Sequence, residues 1–414
     1  MKAAASLTVV LTAFVLVSTA ASTTTALTIQ LSQGDRPSFA IGISATGRFS
    51  AFTSQATNLV SEDTNERQDA FVYDRRTGGI ERVSVTSAGT EAQPGQDSFG
   101  GSAAMGMSAD GRYVLFRSDE PNLTASADET DAFIRDRATS RTRRIPLLGL
   151  QVIAGAMSGD GRFAVLAAGG DIYRYGLRSH HLVRLTTRAN SWSDGPAVSA
   201  GGRFVAFTSN ASNLVHGDTN KLPDIFIRDM ATGKTTRASV TSAGQQGVGE
   251  QFSNGSNAPV LSIDGRYVAF HSDMTNLVPG DTNKIFDIFV HDRVTGKTQR
   301  VSVSSTGNQA DQERLSGASF SADDRFLAFT SLATDLVAND QNGITDVFIR
   351  DLRAGRTRLV SRGIHGQGDD ASLIGGPSAF TRNGRFLLFA SWAGNLVAGD
   401  TNGVADVFVR DLRQ

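Results

Sequence analysis

Five loops of this sequence carry oxygen-bearing side chains at one spacing, an Asp-x-Asn triplet followed by a second Asp four residues after the Asn. The residues are Asp63, Asn65 and Asp69; Asp218, Asn220 and Asp224; Asp281, Asn283 and Asp287; Asp340, Asn342 and Asp346; and Asp400, Asn402 and Asp406. Oxygen ligands at alternating positions, with a carboxylate a few residues further on, are what a hard cation such as Ca²⁺ requires of a loop. These residues are therefore candidate metal ligands, and Ca²⁺ is the one cofactor that the sequence suggests.

The same residues have a second interpretation. Asp and Asn side chains also close turns by accepting hydrogen bonds from their own backbone. Three side chains fall short of the roughly six to eight oxygens that calcium takes, and the loops lack the distal Glu of an EF-hand. The pattern favours structural turns, and calcium binding is the alternative.

The sequence shows no motif for nucleophilic, nucleotide or zinc chemistry. It contains no Gly-x-Ser-x-Gly elbow, Walker loop or His-Glu-x-x-His segment, and no two of its six His have the spacing of metal ligands on one helix or strand. One further Asp recurs at a turn entrance, where it can accept backbone N–H bonds, and an Arg recurs after an earlier turn. We predict a structural pairing of these residues: Asp74, Asp136, Asp229, Asp292, Asp351 and Asp411 with Arg48, Arg112, Arg162, Arg203, Arg266, Arg325 and Arg385.

A repeated unit positions the loops. Its clearest copy spans residues 261–305, and it recurs seven times with decay. Within it, Asp264-Gly265 marks a hairpin turn between two strands, and the second and third strands are apolar at consecutive positions, as in sheets that are packed on both faces. Strand repeats at intervals of about 40–60 residues are typical of propellers. The sequence therefore predicts an all-β fold, a seven-bladed β-propeller of four-stranded antiparallel blades.

Two irregularities at the ends of the repeats indicate how the ring closes. Residues 27–34 resemble a fourth strand with no unit before it, and the seventh unit stops after its third strand, at Asp411. We predict that the N-terminal strand completes the last blade, which also removes the sheet edges that a linear stack would expose.

The first 26 residues have the features of a secretory signal peptide. Lys2 precedes an apolar run over residues 7–17 that is too short to span a bilayer, and small residues follow it. We therefore expect residues 27–414 to form a single propeller domain that is exported, either to the periplasm or outside the cell. The chain has no Cys and a net charge of −1, so we expect no disulfides, no nucleic-acid partner and no stable membrane insertion.

The third blade breaks the symmetry. Its second and third strands are joined by only residues 168–170, where other blades carry about a dozen residues, so we expect a notch in the loop-bearing face. Polar and aromatic candidates for ligand binding near the notch are Arg188, Trp192 and Asp194. A concave site with a few convergent polar groups is the usual form of a ligand site.

The repeats resemble the TolB-type β-propeller repeat. The resemblance rests on the turn at 262–266, the strand at 268–270 and the strand at 287–292, and it covers essentially the whole mature chain. Pro259 and Pro377 fit the family's Pro before the first turn, but no tryptophan occupies the position of the aromatic residue usual beside that turn. The resemblance implies a propeller in an exported or periplasmic setting. Its relatives range from binding scaffolds to the non-catalytic caps of peptidases, and a fold carries no chemistry by itself.

Two functions follow from this pattern. The first is a monomeric, non-catalytic propeller that binds a protein or a glycan, or serves as a scaffold. The alternative is a polysaccharide lyase or glycoside hydrolase whose site lies at the central opening, where glycoside hydrolysis would need two carboxylates about 5–9 Å apart. The acidic residues are repeated, whereas an active site is single, and this favours the binding protein. One strongly perturbed carboxylate or His in the channel, with no equivalent in other blades, would favour the enzyme.

Overall fold

The computed structural model describes residues 28–94, 100–123, 130–147, 149–249, 253–312, 316–338, 340–364 and 366–413. The predicted leader and Leu27 of the predicted closing strand lie outside these residues. The described residues form seven four-stranded antiparallel sheets and one two-stranded hairpin, without any helix. The inner strands of the first six sheets contact one another in turn around a ring, and the seventh sheet contacts both the sixth and the first. The predicted seven-bladed propeller is confirmed.

The chain assigns four strands to each blade, and only the last blade takes strands from both ends. Blades one to three consist of β2 (Ser38–Ile43), β3 (Phe49–Ser54), β4 (Asp69–Asp74) and β5 (Gly79–Arg82); of β6 (Ser102–Met107), β7 (Tyr113–Ser118), β8 (Asp131–Asp136) and β9 (Arg141–Arg144); and of β10 (Val152–Met157), β11 (Phe163–Ala168), β12 (Asp171–Gly176) and β13 (Leu182–Arg184). Blades four to six consist of β14 (Ser193–Val198), β15 (Phe204–Ser209), β16 (Asp224–Asp229) and β17 (Thr235–Arg237); of β18 (Ser256–Leu261), β19 (Tyr267–Ser272), β20 (Asp287–Asp292) and β21 (Thr298–Arg300); and of β22 (Ser316–Phe320), β23 (Phe326–Ser331), β24 (Asp346–Asp351) and β25 (Arg356–Leu359). The hairpin β26 (Arg362–Gly363) and β27 (Gly366–Gln367) follows, and blade seven consists of β28 (Ser372–Leu373), β29 (Phe386–Ser391), β30 (Asp406–Asp411) and the N-terminal β1 (Thr28–Gln30).

Paired phenylalanines form the centre of each blade except the third. The second and third strands of six blades place two Phe rings opposite each other, with ring centroids 5.3–6.0 Å apart. Blade three has Leu166 opposite Tyr173 at this position. Val, Ile and Ala from neighbouring blades fill the space around the rings. Consecutive apolar residues are required because both faces of each inner sheet are buried.

The turn between the first and second strands is held by a bidentate ion pair. In blade five, Arg266 donates from Nε and Nη2 to the two carboxylate oxygens of Asp292, at 3.0 and 2.6 Å. The predicted Arg–Asp pairing is present in six blades. Blade three has Gly176 where the Asp would stand, and Arg162 pairs with Asp160 instead.

Gly265, in the same turn, has a positive φ of 75°. A Cβ at that position would lie 2.5 Å from the Phe204 ring of the preceding blade. The glycine therefore serves both the turn and the packing between blades.

Ring closure takes place in blade seven, where β1 pairs antiparallel with β30 and the strand order is β1, β30, β29, β28. Ser32 Oγ donates to Asp406 Oδ1 at 2.8 Å, and Asn402 Nδ2 donates to the carbonyl of Gly34 at 2.9 Å. Leu31 is buried among residues of blades one and seven. The prediction that the N-terminal strand completes the last blade is confirmed.

No helix among the described residues is long and apolar enough to cross a membrane.

Candidate functional site

The Asp-x-Asn loops of blades one, four and five each enclose a guanidinium group from the fourth strand. In blade five, Arg300 Nη1 lies 3.0 Å from Asp281 Oδ1 and 3.0 Å from Asp287 Oδ2. Arg237 makes the same two contacts in blade four, at 3.1 and 2.9 Å, and Arg82 makes them in blade one, at 3.3 and 3.5 Å. The space between the two carboxylates therefore already holds a positive charge in these three blades.

The second Asp and the Asn of each loop fasten it to the rest of the blade. Asp287 Oδ1 accepts from Ser302, which follows the fourth strand, and Asn283 Nδ2 donates to Asp287 Oδ2 at 3.1 Å and to the carbonyl of Ala310 at 3.2 Å. The same Asn contacts recur in blades one, four, six and seven. These side chains thus connect the third strand to the segment that leads into the next blade.

Blade six lacks the central arginine, because Leu359 pairs with Phe348 at the register position that Arg300 occupies opposite Phe289. Asp340 accepts from Gln367 Nε2 at 2.9 Å. Burial, together with the charge of Asp346, raises the pKa of the Asp340 carboxyl to about 6. The acidic pair of blade six therefore has no guanidinium between its members.

Blade seven lacks the arginine as well. Gln30 takes its register position opposite Phe408, and its Nε2 donates to Asp406 Oδ2 at 2.7 Å. Burial, and then the charge of Asp406, raises the pKa of Asp400. An amide can donate a hydrogen bond to these carboxylates, but it cannot neutralise them. Blades six and seven thus differ chemically from blades one, four and five.

The short connection from which we predict a notch in blade three is present. Strands β11 and β12 are joined by Gly169 and Gly170 alone, whereas the loop of blade five spans residues 273–286. Two large side chains border this short turn: Trp192 is 46% exposed and Ile153 is 44% exposed. The main chain of Trp192 is held in place, because the carbonyl of Trp192 accepts a hydrogen bond from Ser209 Oγ at 2.9 Å. An apolar surface therefore lies where the other blades carry a polar loop.

The other two predicted ligand-binding residues lie on the same connection. The Arg188 side chain is exposed, and its carbonyl accepts from Asn213 Nδ2 at 2.7 Å. Asp194 is half-buried at the start of β14, and its carboxylate accepts from the N–H of Gly195 at 2.6 Å. Within the described residues no ion pair joins Arg188 to Asp194. The exposed Ile153 was not among the sequence candidates, because a single apolar residue in a strand is normally taken as core.

A cavity of about 440 Å³ lies on the propeller axis, where the inner strands turn into the second strands. Its lining is largely apolar and includes Ile41, Met105, Met157, Leu261, Phe320 and Phe380. The charged residues at its wall are Asp160 and Arg382, and Asp160 is already bonded to Ser158 and Arg162. The lining of this end of the channel suits the packing of apolar side chains or the binding of an apolar ligand.

Two strongly perturbed groups break the symmetry of the blades. Burial raises the pKa of Glu120 to about 7 and lowers that of His271 to about 4. Glu120 is 0% exposed, and neither of its carboxylate oxygens has a hydrogen-bond partner. It follows the second strand at the position where blade one has Ala56 and blade four has Ala211. Neither Glu120 nor His271 is among the residues that line the axial cavity, so neither is the perturbed channel residue that would favour an enzyme.

Comparison with known proteins identifies the fold. No family model matches the chain, and no curated protein matches it. Among solved structures, oligogalacturonate lyase from Vibrio parahaemolyticus matches with a TM-score of 0.55 at 12% identity, over 95% of this chain and 95% of that one. This chain has the lyase's propeller fold.

TolB from Acinetobacter baumannii matches with a TM-score of 0.41 at 16% identity, over 89% of this chain and 82% of that one. The propeller fold that the resemblance to TolB-type repeats implied is present in the strand order of the seven sheets. At these identities the comparisons carry no activity over to the chain.

Proposed function

We propose that this protein is a non-catalytic, exported binding propeller that holds a protein partner at the notch of blade three. The observation that carries the proposal is the exposure of Trp192 and Ile153 beside the Gly169–Gly170 turn. Exposed apolar side chains gathered in one concavity mark interaction sites on soluble proteins. The two-residue turn leaves these side chains without the loop of about a dozen residues that other blades carry at this position.

The residue types at the notch suit a protein more than a glycan. Trp and Arg are enriched among the residues that dominate binding energy at protein interfaces, and polar groups around them exclude water. Trp192 and Ile153 would form the buried centre, while Arg188 and Asp194 would lie at its polar margin. Both partner classes are compatible with an exported protein, and a glycan partner is an outcome of the test below.

The bonding partners of the repeated carboxylates support a binding function rather than catalysis. The second Asp of the loop bonds to an Arg or Gln on the fourth strand and to the Ser that follows this strand, as Asp287 and Asp406 show. The Asp at the end of the third strand bonds to the Arg after the first turn. Carboxylates that are engaged in this way in blade after blade serve the fold.

The alternative is a polysaccharide lyase or glycoside hydrolase, and the fold of oligogalacturonate lyase makes oligogalacturonate the first substrate to assay. We expect no unsaturated sugar ends and no new reducing ends after prolonged incubation. Turnover that is lost on mutation of an axial residue such as Arg382 would favour the alternative.

Replacement of Trp192 by Ala is expected to weaken partner binding by about 2 kcal/mol or more, the cost typical of a truncated hot-spot residue. The change should leave the melting temperature almost unchanged, since surface substitutions are usually worth less than about 0.5 kcal/mol. The partner would be cross-linked from envelope extracts, identified, purified and titrated by calorimetry against both forms. Val294→Ala, at an exposed hairpin away from the notch, is the matched control.

Equal affinity of the wild type and Trp192→Ala for the identified partner would contradict the notch as its site. A glycan array probed with the same three proteins tests the other partner class. Grafting residues 273–286 of blade five in place of residues 168–170 should fill the notch and abolish binding while the propeller still folds.

We also propose calcium as a structural ligand, in blades six and seven. What supports it there is a pair of carboxylates, Asp340 with Asp346 and Asp400 with Asp406, that has no arginine between its members. In blades one, four and five the guanidinium stands in the cation's place. Calcium at the two remaining loops would supply the charge that Leu359 and Gln30 do not.

Millimolar calcium is therefore expected to raise the melting temperature, and a chelator to lower it, because a ligand that binds only the folded state stabilises that state. Leu359→Arg gives blade six the arginine of its neighbours and should remove the share of the calcium effect that belongs to Asp340 and Asp346. The melting temperature would be measured by scanning calorimetry with and without EDTA. A chain whose melting temperature ignores both calcium and EDTA would contradict the proposal.

A further inference from the structure

A second cavity, of about 470 Å³, lies on the outer side of the propeller between blades six and seven. Its walls are strand β25, the hairpin β26–β27 and the end of β30. Three arginines line it: Arg358, Arg362 and Arg410. The cavity is separate from the notch and from the axial cavity, and it adjoins the Asp-x-Asn loop of blade six, because Gln367 at its wall donates to Asp340.

None of the three guanidinium groups forms an ion pair with a described residue, and Asp351, whose charge acts on Arg358, is already bound to Arg325 at 2.7 Å. Arg410 Nη1 donates to Thr28 Oγ1 at 2.6 Å and to the carbonyl of Arg362 at 3.0 Å, and both acceptors are neutral. Within the described part of the chain, the side chains of Arg358 and Arg362 make no hydrogen bond or ion pair. The one acid at the wall, Asp411, is held by Arg385 Nη2 at 2.7 Å and by Arg413 Nη2 at 3.2 Å.

The like charges affect one another. Burial, and then the charges of Arg362 and Arg358, lower the pKa of Arg410. Charges of one sign gathered at a partly desolvated wall repel each other more strongly than in water. The propeller therefore bears an electrostatic cost here that an anion would relieve.

Comparison with the other blades shows that this charge is an addition to the fold. The backbone N–H of Arg362 donates to the carbonyl of Val360, and Val303, Val240 and Leu147 make the same local bond in blades five, four and two. Those three side chains are apolar. The hairpin β26–β27 is likewise particular to this blade, since blades one, four and five have an isolated bridge in its place. Ring packing thus does not require Arg362.

We propose that this cavity binds a multivalent oxyanion, that is, a phosphoryl group or a cluster of carboxylates. Guanidinium groups recognise such groups through paired N–H donors, and charge-assisted bonds are stronger than neutral ones. Arg410 is held in place by Thr28 and forms the fixed wall, and Arg358 and Arg362 are free to turn onto the anion. The site does not depend on the proposed notch partner and can be tested separately from it.

Calorimetric titration of the full chain tests this proposal, with pyrophosphate as the phosphoryl probe and citrate as the carboxylate probe. Ionic strength is kept constant with chloride, because unspecific binding falls with salt. We expect saturable binding of one anion per chain. Arg362→Val, which installs the residue of blades four and five, is expected to lower the affinity by about tenfold or more. Arg356→Gln, on the adjoining strand β25 but outside the cavity wall, is the matched control.

Each outcome bears on the proposal. Saturable binding of either probe that is weakened by Arg362→Val and not by Arg356→Gln supports it, and the tighter probe identifies the oxyanion chemistry. Absence of saturable heat with both probes overturns it, as does equal weakening by both variants, which would mean unspecific surface charge. A melting curve of Arg362→Val that matches the wild type excludes unfolding as the cause of lost binding.

Discussion

Deletion of residues 27–34 is expected to prevent formation of a stable propeller. The deletion removes β1, and with it the antiparallel pairing to β30, the Ser32–Asp406 hydrogen bond and the buried side chain of Leu31. Loss of the Leu31 side chain alone should cost about 2–5 kcal/mol, as for other buried Leu→Ala changes. The missing strand further exposes the edge of β30 and the apolar residues of blades one and seven. The total approaches the whole stability of an ordinary domain, about 5–15 kcal/mol.

The measurement is thermal unfolding with light scattering, on the truncated chain and on Ile29→Thr. Ile29 lies on the same strand, but its side chain is partly exposed, so Thr preserves both the pairing and a β-branched side chain. We expect the truncated chain to aggregate and the Ile29→Thr chain to melt close to the wild type. A truncated chain that melts like the wild type would contradict closure of the ring by β1.

Replacement of Arg300 by Leu is expected to destabilise the propeller by about 3–5 kcal/mol, because it removes one side of a buried ion pair and leaves Asp281 and Asp287 facing each other. Urea unfolding at neutral pH, followed by circular dichroism, measures the effect. The double variant Arg300→Leu/Asp281→Asn should recover part of the lost stability, since it removes one of the two buried carboxylate charges that Arg300 no longer neutralises.

The matched comparison is Leu359→Arg in blade six, which makes the reverse change in the same register position and should stabilise the chain in the absence of calcium. A loss below about 1 kcal/mol for Arg300→Leu would mean that the arginine contributes no more than a surface pair does.

Sequence reasoning predicted the features that repeat. The period of the unit, the Asp-Gly turns and the consecutive apolar residues led to seven blades, and the unmatched strand at residues 27–34 led to ring closure. The Arg266–Asp292 pairing could be predicted because the Arg recurs in all seven blades and the Asp in six.

The contents of the loops were harder to predict. Asp281 and Asp287 are close in sequence and resemble a cation loop, whereas Arg300 reaches them from the next strand through a register that the loop sequence does not contain. A comparison of fourth strands, Arg300 against Leu359, contained that signal.

The remaining features could not be read from the repeat at all. Glu120 is buried because it occupies a position where blades one and four have an alanine. From the sequence alone, a Glu near a loop is expected to be exposed. The arginine cavity depends on the hairpin β26–β27, whose course departs from that of its sister blades. Side chains that converge from separate strands and from an irregular connection can be located only once the backbone is known.

Ring closure by β1 also has a consequence for the order of folding events. The bonds within blade seven join residues 368–382 positions apart in the chain, so the first strand can pair only once the last strand is available. Contacts at such separation form late and slowly, because the entropy of the intervening chain must be lost before they gain anything. Six blades can assemble from neighbouring segments in the meantime, with an apolar sheet face exposed at each side of the gap and the edge of β30 unpaired. During this interval the chain is most exposed to aggregation, and a molecular chaperone would be of most use to it then.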